Sequence, residues 1–459
     1  MIEKARLREL NGDAEHAGDY VLYWMQQAQR ERFNPALETA VANANRLGLP
    51  TLVAFGLTDN YPEANLRHYS FMLEGLCDVE IALRRRGIGF IVLHGGPDDI
   101  ALRLAKRAAL VICDRGYLRH QRAWRTRLAK EAGRRVIQVE GDAVVPVDLV
   151  SEKREIAART LRPKLMRLRD EFIQPLRRSE VLFRADSLEL PPSLDLSNPE
   201  ALLGGLAIDR SVGRVKRFRG GAVEAARRLN AFINSPLSDY AVGRREPARS
   251  KVSFLGAYLH FGHISPVEIA HAVAEADAGY EDRRAYLEEL IVRRELAINF
   301  VEHEPSYDSY TCIPEWARGS LSAHERDPRP HRYDAAQLEA AKTHDIYWNA
   351  AMREMLFTGY MHNHMRMYWG KKIIEWSPSP QLAFATMLTL NNRYFLCGRD
   401  PNSFANVAWC FGLHDRPWPE RPVFGKVRSM TTDGLKRKID VEAYIAHVDH
   451  LVEEEAVSA

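Results

Sequence analysis

The stretch TLVAFGLTDNYPEANLRHYSFMLEGLCDVEIALRRRGIGFIVLHG, Thr51 to Gly95, decides the fold. TLVAFGL (Thr51 to Leu57) and FIVLHG (Phe90 to Gly95) are short, apolar and rich in β-branched and aromatic residues. Runs of that kind read as strands buried on both faces. Between them HYSFMLEGLCDVEIALRRRG has a helical pattern and closes on Gly87, a residue suited to the left-handed turn past a helix end. Strand, helix, strand is the repeat of a parallel, doubly wound sheet. YVLYWM (Tyr20 to Met25), ALVICD (Ala109 to Asp114) and RVIQVEGD (Arg135 to Asp142) continue the pattern on either side. The first 150 residues are therefore expected to form a Rossmann-like α/β domain. Ligands of such sheets sit at the carboxyl ends of the strands. No GxGxxG follows the first strand and no GxxxxGK[ST] occurs, so a standard dinucleotide or P-loop site is not indicated.

Residues 151–203 are charged and then proline-rich (LELPPSLDLSNP), and read as a connector. From 204 to 459 the patterns are nearly all helical, which predicts an all-α second domain. The chain has 459 residues, 46% hydrophobic and 27% charged, in the range of a soluble globular protein of two or three domains. The net charge is only +3, so any nucleic-acid surface must be local. Five cysteines, an odd number without a C-x-x-C, argue for reduced thiols and against a disulfide framework or a metal site. No apolar run approaches the ~20 residues of a membrane span. The start MIEKARLREL lacks the apolar core of a leader. A cytoplasmic protein is expected, associated with the nucleoid if bacterial, with no membrane and no obligate protein partner.

Four segments could carry chemistry. SDYAVGRREPARSKVSFLGAYLHFGHIS (Ser238 to Ser265) runs an arginine- and hydroxyl-containing loop into an aromatic helix, which suits a phosphate but equally suits ordinary capping. LEELIVRRELAINF (Leu287 to Phe300) carries Glu288, Glu289, Arg293, Arg294 and Glu295, which could be nothing more than i,i+4 pairs on a wet face. GYMHNHMRMYWGKKIIEW (Gly359 to Trp376) sets Arg366 one turn before Trp369, and Trp376 two turns later. A cation on an aromatic, apolar face calls for an anionic or π partner. With Trp348 these indoles are either core packing or a path for stepwise electron transfer. VFGKVRSMTTDGLKRK (Val423 to Lys438) is a basic loop that, with Trp409 and Trp418, would suit a phosphate backbone and an extruded base, or a solvated face.

Taken in order, EGDAVVPVDLVSEKREIAARTLRPKL (Glu140 to Leu165), LGAYLHFGHIS, LEELIVRRELAINF, AKTHDIYWNAAM, GYMHNHMRMYWGKKIIEW, GRDPNSFANVAW and LHDRPWPERPVFGKVRSM resemble the photolyase and cryptochrome superfamily. More narrowly they resemble the class II cyclobutane pyrimidine dimer photolyases, over nearly the whole chain. The resemblance implies an α/β domain with a possible antenna chromophore, a deazaflavin or a folate, followed by a helical domain enclosing FAD. It implies a deoxyribodipyrimidine photo-lyase: excited FADH⁻ gives an electron to a dimer flipped out of DNA, the cyclobutane ring opens, and the electron returns. Tyr240, Arg244, Ser253 and Leu255 resemble the flavin phosphate and ribityl contacts, with Asn363 and Arg399 also in cofactor-binding stretches. Asn391 matches the residue near flavin N5, and Arg366 the arginine against the isoalloxazine. Trp369, Trp348 and Trp376 match the electron-transfer chain. Glu289 matches the carboxylate on the dimer, Trp409 an aromatic of the lesion pocket, and Arg293, Arg416 and Arg428 lie in DNA-holding stretches.

The chain departs from the resemblance at four places. Cys397 stands where the family has an aspartate paired with the arginine, Asn363 where class II chains often have glycine, and Asp148 where a tryptophan is usual. WCFGLHD, at Trp409 to His414, is one residue short. Cys397 and the short segment favour the alternative, a cryptochrome-like photoreceptor without repair; Glu289, Trp409 and the Arg428 loop favour repair.

Overall fold

The computed structural model describes residues 2–456. Within them β1 (Leu7–Glu9), β2 (Tyr20–Trp24), β3 (Thr51–Leu57), β4 (Gly89–His94), β5 (Ala108–Asp114) and β6 (Val136–Val139) form one sheet in the order β1-β6-β5-β2-β3-β4. All pairings are parallel except β1 on β6. The antiparallel edge β1 lies outside the sequence-based strand pattern, because LRE has no apolar run to mark it. The helices α1 (Pro35–Leu47), α2 (Leu66–Arg86), α3 (Pro97–Ala105) and α4 (Arg119–Glu131) cross between strands and cover both faces. Alternate side chains of β2, β3 and β5 enter two separate cores, Leu22, Trp24 and Val111 on one side and Val21, Tyr23 and Ile112 on the other. That is why these strands read as unbroken apolar runs. Gly87 takes the left-handed conformation, φ 75°, at the end of α2.

The turn after β2 is closed by Asp114 at the end of β5. Its Oδ2 accepts from the amides of Gln26 (2.9 Å), Gln27 (2.9 Å) and Ala28 (3.1 Å). Successive amides at this position would cradle a phosphate in a dinucleotide fold; here a carboxylate of the chain takes them.

Residues 151–203 are more than a free linker. They include a helix, Ala158–Phe172, and Leu194 N–H donates to Val92 O at 2.8 Å, so this segment covers the open edge of β4. Beyond it the chain is almost wholly helical. Two large cores, around Trp348–Trp376–Phe384 and around Phe232–Tyr258–Ile291, fill the helical part. It seats closely on the sheet: at Gly262, φ 69°, a Cβ would lie 1.9 Å from Gln27 O, so only glycine fits.

Candidate functional site

The first turn of α2 holds the segment that carries several candidate residues. Asn65 Nδ2 donates to Arg393 O (2.8 Å), Arg67 Nη1 to Tyr394 O (2.7 Å), and His68 Nε2 contacts Phe395 O (3.0 Å). His68 Nδ1 accepts the Asn65 N–H at 3.2 Å, so Nε2 carries the proton and donates. Burial keeps this ring neutral by pulling its pKa well below the usual histidine value. Three successive carbonyls at the carboxyl end of helix Pro380–Tyr394 are thus tied to the sheet domain. Arg67 also reaches Leu356 O (2.6 Å), Met355 O (3.2 Å) and Gly213 O (3.0 Å). It thereby joins the end of helix Ile346–Thr358, which carries Trp348, to the end of the helix carrying Asn391. Nothing in the local pattern separates Arg67 from the exposed arginines at the other end of α2, and sequence reasoning missed it.

Tyr240, Arg244, Ser253 and Glu289 come together. Arg244 Nη1 donates to Glu289 Oε1 at 2.8 Å and its guanidinium lies 5.6 Å from the Tyr240 ring. Tyr240 packs edge-on against Tyr286 (5.1 Å), whose hydroxyl bonds Ser253 Oγ at 3.0 Å. Burial pushes the Tyr240 phenol up to about 12, so it stays a neutral donor. Leu255 is buried just before the short helix Gly256–His260.

Glu289 sits in a π-helical turn, Glu288–Arg293, inside a longer helix. Such turns occur often at functional sites. The extra residue brings Arg293 Nε within 3.4 Å of Glu288 Oε1, five positions back, and leaves the Arg293 side chain half exposed. It also turns the next residues inward. Arg294 pairs with buried Asp142 (3.0 Å), and Glu295 accepts the Val144 amide (2.7 Å). The wet-face reading of this segment is therefore corrected for Arg294 and Glu295, which are buried polar links to the sheet domain.

Arg366 stacks on Phe395, 3.7 Å from the ring centroid, bonds Met361 O (3.0 Å), and reaches Cys397 Sγ at 3.4 Å. The Cys397 sulfur thus stands at the arginine. Asn391 is buried and donates to Asn392 Oδ1 at 3.0 Å. Gly398 lets this loop approach: a Cβ there would meet the Asn391 carbonyl at 2.9 Å. Asn363 is exposed, in the first turn of helix Asn363–Trp376.

Arg399 belongs to a different place. It lines a pocket at the carboxyl ends of the strands, with Tyr61, His68, Trp124 and His260. Its Nε and Nη1 have no partner, and burial pulls its pKa down to about 10.

Trp348, Trp369 and Trp376 are all buried. The Trp348 and Trp376 rings meet edge-on at 5.5 Å, and Trp348 Nε1 donates to Trp369 O at 3.0 Å. Trp409 is half-buried, with Lys371 Nζ 5.9 Å and the Arg428 guanidinium 6.0 Å from its ring. Arg428 and Arg416 stand over Trp418 at 4.9 and 5.5 Å. Trp418, Arg421, Arg428 and Lys438 line an open groove.

Two departures have local reasons. Asp148 forms a two-pronged pair with Arg115, 2.8 Å on each oxygen. The short 409–414 segment is a tight helix end in which Leu413 N–H reaches back to Ala408 O at 3.1 Å, with Gly412 at φ 107° and His414 at φ 60°.

An α/β sheet domain whose helical companion gathers arginines, an asparagine and a line of indoles is the architecture of photolyases and cryptochromes. A bacterial class III photolyase from Agrobacterium tumefaciens superposes with a TM-score of 0.74 at 19% identity, over 96% of this chain and 88% of that one. The sequence model for DNA photolyase matches residues 21–180. A deoxyribodipyrimidine photo-lyase of Methanothermobacter thermautotrophicus is 45% identical, over 99% of this chain and 100% of its own length. One from Oryza sativa subsp. japonica is 37% identical over 97% and 91%. This chain belongs to the DNA photolyase family. No helix among the described residues is long and apolar enough to cross a membrane, and no group of three or more His, Cys, Asp or Glu is gathered as for a metal ion.

Proposed function

We propose that this protein repairs cyclobutane pyrimidine dimers in DNA by light-driven electron transfer from a fully reduced FAD to a dimer swung out of the duplex. The flavin supplies the electron once excited, and the chain supplies position, charge and exclusion of water. Trp369 Nε1, buried one turn along the helix from Arg366, has no partner among the described residues, as expected where a ligand completes the site. Arg244, Tyr240, Ser253 and Leu255 would hold the phosphate and ribityl end, and Arg366 and Asn391 the polar edge of the ring. Glu289 would accept a hydrogen bond from the dimer while Arg244 holds its carboxylate in place. Arg293, Arg416 and Arg428 would hold phosphates, and Trp409 would stack against an unpaired base.

The observation that carries repair is the basic, aromatic groove of Arg428 between Trp418 and Trp409. A second reading, a flavin photoreceptor without repair, is favoured by Cys397 in contact with Arg366. The cavity at the strand ends would take an antenna chromophore, a deazaflavin or a folate, between Tyr61, Trp124 and Arg399.

Blue-light repair of a thymine-dimer oligonucleotide by the photoreduced protein tests the proposal. Light-dependent recovery of thymine absorbance, reduced in Glu289→Gln, is expected. Photoreduction without repair would hand the site to the photoreceptor reading.

A further inference from the structure

One wall of the basic, aromatic groove is a hairpin, and a histidine holds it down. Trp418 N–H donates to Lys426 O (2.8 Å), and Arg421 and Gly425 exchange both backbone bonds at 3.0 and 2.8 Å, so residues 418–426 double back on themselves. The hairpin carries Trp418 and Arg421 and runs into Arg428, whose guanidinium lies 4.9 Å from the Trp418 ring. Its one β-bridge stands apart from the sheet, and a lone hairpin is marginally stable in water. Its place therefore depends on what it leans against.

It leans against helix Glu315–Ala323, whose Ala317 and Leu321 are buried in the core that also holds the indoles. Ser320 Oγ accepts the Lys426 N–H at 2.7 Å. His324 ends that helix. Its Nδ1 lies 2.7 Å from Asp327 Oδ2, and its Nε2 lies 2.8 Å from Glu420 Oε1 on the hairpin. The same Asp327 oxygen accepts the Val423 N–H at 2.8 Å, at the hairpin tip, where Val423 takes a left-handed φ of 68°. That conformation is unfavourable for a β-branched residue and persists where the surroundings impose it.

Two carboxylates on one ring decide its charge. A neutral imidazole has one N–H, so one of the two contacts would set a lone pair against a carboxylate oxygen; only the imidazolium donates to both. Hydrogen bonds from Asp327 and then Glu420 hold the His324 pKa above the ordinary histidine value, and the carboxyl end of the helix favours the same cation. Glu325, Arg326 and Arg329 share its turn, and Arg329 Nη1 is directed onto the carbonyls of Glu325 (2.6 Å) and Asp327 (3.2 Å). Glu315 and Arg318 lie farther back on the helix, and Arg421 and Lys426 on the hairpin are exposed.

We propose that His324 is a positioning residue for DNA. As an imidazolium it latches the hairpin to the helical domain and holds Trp418, Arg421 and Arg428 in the form that meets a phosphate backbone. The inference rests on the reading of this groove as the DNA surface. A loop ordered beforehand does not have to be ordered by its ligand, so the latch is read in affinity. The sign follows from the raised pKa. The latch is complete below the ordinary histidine value of 6.5 and is lost as pH rises through the higher value of the folded protein. Loss of the proton frees one of the two carboxylates, and the grip on DNA loosens.

The test is binding of a fluorescent thymine-dimer duplex to the FAD-loaded protein in the dark, by anisotropy from about pH 6 to 9 at fixed ionic strength, followed by light on the saturated complex. Wild-type affinity is expected to fall about three- to tenfold as pH rises through the His324 titration. His324→Gln cannot donate to both carboxylates as a cation, and is expected to bind weakly at every pH with a flat profile. Glu420→Gln changes an exposed carboxylate and keeps the His324–Asp327 contact; its profile is expected to be shallower and its fall to begin at lower pH. The change is expected in the dissociation constant and not in the light yield of the saturated complex. A fall in His324→Gln equal to that of the wild type overturns the proposal, since another group then titrates. A flat wild-type profile overturns it equally. If His324→Gln does not fold, Glu420→Gln decides, and a profile unchanged from wild type overturns the latch. In each of these results the duplex still binds, and the groove reading stands. No binding of the dimer duplex by the wild type at any pH overturns the groove reading and the proposal together.

Discussion

Replacing Arg67 by methionine keeps the aliphatic stem and removes a guanidinium that four carbonyls share. Met355 O would keep the Gly359 N–H, 3.0 Å away. Gly213 O, Leu356 O and Tyr394 O would lose the donors at 3.0, 2.6 and 2.7 Å. A hydrogen bond to a charged group contributes about 1.5–3 kcal/mol, and each buried acceptor left bare costs about 1–3 kcal/mol. Against this, a buried cation no longer has to be desolvated, which returns several kcal/mol. The net expected loss is about 3 kcal/mol, a large effect for one side chain. Arg67→Lys keeps the charge beside two helix carboxyl ends but not the planar fork, and should lose about 1–2 kcal/mol. Urea unfolding followed by indole fluorescence reads the stability. Flavin retention reads whether the Trp348 and Asn391 helices have come apart. A methionine variant within about 1 kcal/mol of wild type would refute the reasoning, since ordinary surface arginines fall in that range. So would a lysine variant as unstable as the methionine one, because the fork would then contribute nothing.

Cys397→Asp would place a carboxylate where the thiol now touches Arg366. An added anion beside a bound flavin disfavours its anionic reduced form, so the midpoint potential should fall. Spectroelectrochemical titration checks this, and an unchanged potential refutes it. Stability should also depend on buried neutral histidines. Burial pulls His120, His362 and His414 down to about 4 from an ordinary value of 6.5. The folded state therefore binds fewer protons than the unfolded chain below about pH 6.5, and stability is full above that and lost as pH falls toward about 4. Urea midpoints measured across this range should fall toward acid, less steeply in His120→Gln; a flat profile would show that these rings are not held neutral.

The β3–α2–β4 stretch disclosed the sheet because a strand buried on both faces has to be apolar throughout, and that is visible without neighbours. Edge strand β1 was not legible, because its three residues owe their pairing to β6 and not to their own pattern. Trp348, Trp369 and Trp376 could be singled out by residue type and spacing, but whether any of them meets solvent could not. The Glu289 segment shows the same limit: its charges are plain in the sequence, while one inserted π residue sends Arg294 and Glu295 inward and leaves Arg293 outside. By itself the sequence determined the two kinds of domain, their order and the residues proposed for the site, since periodicity and the order of motifs are local properties of the chain. Only the tertiary structure decided that Arg67 ties two helix ends together, that Arg399 faces the strand-end cavity, and that Glu420 closes on His324. Those are meetings between distant segments, set by how the helices pack on the sheet domain and on one another, and no local pattern encodes them.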